Sequence, residues 1–162
     1  MPAITPIQPH QTAEAKRLIY TVAKEIFDDP RPLEEMISQL EAEHELGDMD
    51  DIQRNYFENG GTFLVMSEGE RIIGSGALRK LDEVTCELKR LWFLPEYHGK
   101  GHGWEMLNTL MGIARQMGYQ KIRLETDAVY QSRAVRFYQR AGFHQIPRDS
   151  DDPGDIAMEM AL

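Results

Sequence analysis

Apolar and polar positions along the chain change period several times, and each change marks an element. Ala15, Leu18, Ile19, Val22, Ala23 and Ile26 recur at helical spacing and predict a first helix from about Gln11 to Phe27, after a short strand in "ITPI" at 4–7. "DDPRP" breaks that helix, and Leu33, Met36, Ile37 and Leu40 mark a second one with a mostly acidic outer face. The acidic run "ELGDMDD" reads as a solvated helix end and turn. After "ENGG" the period falls to two: "TFLVMSE", "GERIIGSGALRKL" and "VTCELKRLWFL" predict three strands of an antiparallel meander. From Gly103 the stripe Leu107, Leu110, Met111, Ala114, Met117 restores helical spacing, and Gly118 stops it. "QKIRLET" is a strand, and Ala134, Phe137, Tyr138 and Ala141 form the buried stripe of a last helix ending before Gly142. "FHQI" and "IAMEMAL" predict a terminal hairpin around the acidic loop "PRDSDDPGD". The sum is a mixed α/β (α+β) domain in which the strand–helix–strand unit from about Glu83 to Thr126 is a parallel crossover.

Composition narrows the class. A chain of 162 residues, 41% hydrophobic and 28% charged, is expected to form one domain over 1–162, and no linker or repeat divides it. The lone Cys86, in an apolar stretch, suits a small core residue of a reduced, intracellular protein. No charged-then-apolar leader and no run of 18 apolar residues is present, so a soluble cytoplasmic protein with no membrane partner is expected. The net charge of −9 argues against nucleic-acid binding, which draws on cations neutralising phosphates. That charge is uneven: residues 79–140 carry 11 Lys+Arg against 7 Asp+Glu, while the segments before and after are acidic.

The basic stretch contains "PEYHGKGHGWEML", with Gly99, Gly101 and Gly103 directly before a predicted helix. A helix N-terminus offers unpaired N–H groups and partial positive charge, and a side-chain-free loop lets an anion reach them. A tight strand-to-helix connection is the competing explanation, although one glycine would normally suffice for it. The loop is neither a Walker motif, lacking the G-K-[ST] ending, nor a dinucleotide fingerprint, since Trp104 takes the place of the third glycine.

The run "ELKRLWFLPEYHGKGHGWEML" resembles the acetyl-CoA-binding segment of the GNAT superfamily of N-acetyltransferases, [QR]-x-x-G-x-[GA] after a strand. "SRAVRFYQRAGF" at 132–143 resembles the same family's later helix motif, and the likeness spans roughly residues 60–145. The resemblance implies a mostly antiparallel central sheet, flanked by helices, in which two parallel strands splay apart to admit the cofactor. It implies that Leu91, Trp92 and Phe93 bond the pantetheine arm through the backbone. The amides of Gly99, Lys100, Gly101, His102, Gly103 and Trp104 would hold the pyrophosphate, with His98 and Lys100 adding charge or a hydrogen bond. His98 departs from the usual Gln or Arg, and Gln131 stands where the family often has a cofactor-contacting Asn. Homodimers are common in the family.

Transfer to an amine needs a neutral nucleophile, an oxyanion donor and a proton for the departing thiolate. By resemblance Tyr138 is the acid, with a core tyrosine as the plainer alternative. Glu87, on the strand that should line the cleft, is the candidate base, and an ion-pair carboxylate is its alternative. His98 and His102 lack further ligands at metal spacing, so no metal site is expected. The expected function is acetyl-CoA-dependent N-acetylation of a small-molecule amine or exposed amino group by direct attack in a ternary complex. A cationic acceptor is favoured by the acidic N-terminal half. A non-catalytic acyl-CoA-binding sensor is the alternative.

Overall fold

The computed structural model describes residues 1–148 and 154–162. The acidic segment at 149–153, expected to turn the terminal hairpin, lies outside the described residues. Seven strands form one sheet: β1 (Ala3–Pro6), β2 (Thr62–Glu68), β3 (Arg71–Lys80), β4 (Thr85–Phe93), β5 (Lys121–Asp127), β6 (His144–Ile146) and β7 (Asp155–Ala161). Their order is β1-β2-β3-β4-β5-β7-β6, and every neighbouring pair is antiparallel except β4–β5. Helices α1 (Thr12–Ile26), α2 (Leu33–Ala42) and the single turn α3 (Ile52–Asn55) precede β2, α4 (His102–Gln116) links β4 to β5, and α5 (Ser132–Ala141) follows β5. The predicted strands and helices are present, with ends displaced by a residue or two.

Both sheet faces are covered, which explains the nearly unbroken apolar run of β2. Phe63 and Val65 enter a core shared with Ile19, Val22 and Met36 of α1 and α2, while Leu64 and Met66 enter one shared with Met106, Leu107 and Leu110 of α4. Cys86 is buried in the second core, as its setting predicts. On α5 only Tyr138 of the expected stripe is buried; Ala134, Phe137 and Ala141 are half-exposed, because α5 touches the sheet mainly along β5.

The "ELGDMDD" segment is not a solvated turn. It forms a 3-10 helix over Gly47–Asp51 that buries Met49 and turns Asp48 inward onto Arg90 of β4. Apolar Leu46 and Met49 supply the burial, and the cation opposite removes the cost of bringing a carboxylate with them.

Two irregularities shape the middle of the sheet. Between β3 and β4 the register runs Ala77↔Lys89 and then Ser75↔Trp92, so Arg90 and Leu91 share the space opposite Gly76. Arg90 takes the left-handed conformation, φ 57°, in which glycine is the usual occupant. Between β4 and β5 the parallel pairing covers only Thr85↔Lys121, Cys86↔Ile122 and Glu87↔Arg123. Beyond that rung the strands part, while β5 stays paired to β7 as far as Asp127↔Asp155.

Candidate active site

The gap opened by β4 and β5 is bordered by the glycine loop. A 3-10 turn at Pro95–Tyr97 ends β4, and α4 starts with Gly101 as its N-cap, φ 83°, with no side-chain cap. Gly99, φ 76°, and Gly101 require glycine for their backbone conformation, and a Cβ built on either would meet nothing within 4 Å. The space above both is open. The first α4 amide with an internal acceptor is that of Glu105, which donates to the Gly101 carbonyl at 3.0 Å. Among the described residues the N–H groups of Gly99 through Trp104 have no backbone acceptor, which leaves six donors unpaired at a helix N-terminus.

The side chains of this loop brace it. Arg133 Nη1 lies 3.3 Å from His98 Nδ1 and can only donate, which makes Nδ1 an acceptor and leaves the proton on Nε2. Nε2–H then donates to the Phe93 carbonyl at 2.9 Å, tying the end of β4 to α5. His102 stacks on Phe93 with ring centres 6.4 Å apart, and Lys100 Nζ rests 5.2 Å from the Tyr97 ring centre. Trp104 is exposed, edge-on to Phe137 at 6.4 Å.

Tyr138 is buried among Phe137, Phe143 and the α4 core, and burial pushes its phenol well above the usual tyrosine range. Its hydroxyl makes no hydrogen bond to the described residues, yet Ser67 Oγ is the only sealed side-chain polar atom among them that lacks a partner. The Tyr138 hydroxyl therefore keeps contact with solvent and has a donor to spare.

On the opposite face, a cavity of about 500 Å³ lies against the parted strands. Arg90 and Trp92 of β4, Glu125, Thr126 and Asp127 of β5, and Gln131 line one side; α1, α2 and their loop line the other. Gln131 Oε1 accepts a hydrogen bond from Thr126 Oγ1 at 3.3 Å. Arg90 Nε and Nη2 donate to Asp48 Oδ2 and Oδ1 at 3.1 and 2.5 Å, Tyr56 donates its hydroxyl to the same carboxylate, and Ser75 Oγ donates to the Arg90 carbonyl at 2.7 Å. Burial opposes the charge on Asp48, but the Arg90 bonds prevail and hold its carboxyl below the usual range.

The expected residues thus fall into two groups. Leu91, Trp92 and Phe93 lie on β4 beyond its last pair with β5, the loop 98–104 leads from the end of that strand into α4, and Trp92 and Gln131 line the cavity. Glu87 stands at the apex of the gap, in the last paired rung, accepting from Arg79 Nη2 at 2.5 Å, and is not among the cavity-lining residues. The sequence reading passed over the carboxylates that do line the cavity, among them Glu45, Glu125, Asp127 and Asp155, which come from three separate stretches and share no motif. It also passed over the Arg90–Asp48 pair. No helix among the described residues is long and apolar enough to cross a membrane, and no group of three metal-ligating side chains is gathered among them.

Comparison with known proteins agrees with this geometry. An uncharacterized N-acetyltransferase of Escherichia coli, YjgM, is 28% identical over 117 residues, which is 70% of each chain. Human N-acetyltransferase 8B is 31% identical over 102 residues, 59% of this chain and 44% of that protein. In fold, an acetyltransferase of Streptococcus agalactiae superposes with a TM-score of 0.83 at 24% identity, covering 99% of this chain and 98% of its own. The PaiA N-acetyltransferase of Thermoplasma acidophilum, solved in complex with coenzyme A, does so at 0.80 and 22% identity over 100% of this chain and 99% of its own. The model of the Acetyltransferase (GNAT) family matches residues 20–143, and the chain belongs to that family.

Proposed function

We propose that the protein transfers the acetyl group of acetyl-CoA to a primary amine by direct attack in a ternary complex. The observation that carries this is the parting of β4 and β5 beyond Glu87 and Arg123, with six open amides on one side and a cavity on the other. Two neighbours of the same fold, the PaiA enzyme and an acetyltransferase of Elizabethkingia anophelis, carry coenzyme A and acetyl-CoA in their structures.

The residues fit that cosubstrate. The N–H groups of Gly99 to Trp104 would hold its pyrophosphate, and the absence of Cβ atoms at Gly99 and Gly101 lets the phosphates approach. Backbone groups of Leu91, Trp92 and Phe93, which lack a partner strand on the β5 side, would pair with the two amides of the pantetheine arm. Acetyl-CoA supplies an activated acyl group. The protein supplies a backbone N–H near Trp92 or Phe93 for the oxyanion and the Tyr138 proton for the leaving thiolate, while a carboxylate or water takes the proton the amine gives up. Glu87 can serve only through water, given its bond to Arg79. Glu125 reaches the cavity itself.

Incubation with acetyl-CoA and a panel of amines, with free thiol as the readout, tests the reading. Thiol release that depends on amine supports it. Coenzyme A binding with no release from any amine would instead make the chain an acyl-CoA-binding module. Gly101→Glu should abolish coenzyme A binding in calorimetry, since bulk and like charge fall on the pyrophosphate seat; retained affinity would remove that seat.

A further inference from the structure

Charge around the cavity narrows its occupant, an inference that rests on the transfer reading. Two arginines line the cavity, and both are already answered, Arg31 by Asp29 at 2.5 Å and Arg90 by Asp48 at 2.5 Å. Four lining carboxylates remain, Glu45, Glu125, Asp127 and Asp155, and none has an ion pair among the described residues. Asp127 spends one oxygen on the N–H groups of Val129 and Tyr130. They come from the turn after α2, from β5 and from the start of β7, and the fold sets them around one cavity rather than in a single cluster.

Solvated carboxylates on a surface would mean little. Glu45 and Glu125 are exposed and Asp127 and Asp155 half-buried, but all four border one concave space with apolar walls, including Ile19, Ala23, Phe27 and Leu40, at the place where an acceptor would meet the parted strands. Low-dielectric walls concentrate their field in that space.

We infer that the acceptor is a dication: a primary amine joined through an aliphatic spacer to a second ammonium or guanidinium group, with the spacer on the apolar wall and the distal charge on the unpaired carboxylates. The same field favours the protonated form of the reacting amine. A carboxylate beside the gap therefore has to receive its proton, a duty for Glu125, while Glu45, Asp127 and Asp155 hold the distal charge.

The test compares thiol release from α,ω-diaminoalkanes with that from n-alkylamines and ω-amino acids of equal chain length, at saturating acetyl-CoA. The diamines should be favoured in kcat/KM by roughly tenfold or more, the effect of one well-placed charge pair. Added salt should lower kcat/KM for the diamines more steeply than for the alkylamines and so erode that advantage. Combining Glu45→Gln with Asp155→Asn should reduce the preference while calorimetric affinity for coenzyme A is kept. Equal or better turnover of alkylamines or ω-amino acids by the wild-type protein would overturn the dication and leave the transfer reading standing. No thiol from any amine, with coenzyme A still bound, would overturn both.

Discussion

At the scale of single residues, Tyr138 joins packing to chemistry. A tyrosine phenol is protonated at neutral pH even at its ordinary value of about 10, and burial strengthens that, so in the proposed transfer a proton is at hand for the leaving thiolate. Tyr138→Phe should lower kcat by about a hundredfold, the lower end for loss of a general acid, with coenzyme A affinity retained. A phenol whose pKa is raised by folding stabilises the fold below the ordinary tyrosine value of about 10 and loses that contribution as pH rises beyond it. Urea midpoints should therefore fall more steeply above about pH 10 in the wild type than in the Phe variant. Glu87 and Glu125 part by readout: Glu87→Gln should lower the melting temperature through loss of the Arg79 bond, whereas Glu125→Gln should lower turnover and leave the melting temperature unchanged. Tyr138 and the loop glycines were legible in the sequence because each belongs to a contiguous motif. The cavity carboxylates were not, since only folding brings positions 45, 125, 127 and 155 together.

At the scale of elements, the β4 bulge is the informative feature. Helices and strands were legible because covered faces impose strict periods, yet nothing marked residue 90 as left-handed, where an arginine stands instead of glycine. Its conformation is held from outside, by Asp48 on the guanidinium and Ser75 on the carbonyl. That is also why an acidic run taken for a solvated turn folds inward. Asp48→Asn should cost about 3 kcal/mol, as expected for breaking a mostly buried pair from one side. Adding Arg90→Gly should recover part of the loss, because glycine adopts the bulge conformation freely and the orphaned cation is removed. Chemical denaturation of both variants checks this. The Asp48 carboxyl is held low in the fold, so its contribution is present above the usual value of about 4 and is lost as pH falls through the lower folded value. Asp48→Asn should accordingly flatten the acid limb of stability against pH.

At the scale of the whole molecule, the sheet supplies a frame on which two unlike surfaces meet, open amides beside one core and a carboxylate-lined cavity beside the other. Hydrogen exchange should find the amides of Leu88–Phe93 facing the gap less protected than those of β2, and coenzyme A should raise their protection. Fold class and crossover were readable from order and spacing alone, but a long-range property such as which charges stay uncompensated needs the assembled chain. Within the sheet, three facing residue pairs among the described residues join β4 to β5, while α4 and the core beneath it span both sides. Past so short a seam the two strand edges have nothing between them, and a ligand lying along the open edge becomes a splint. Loading would stiffen the protein as a machine part before any bond is made or broken.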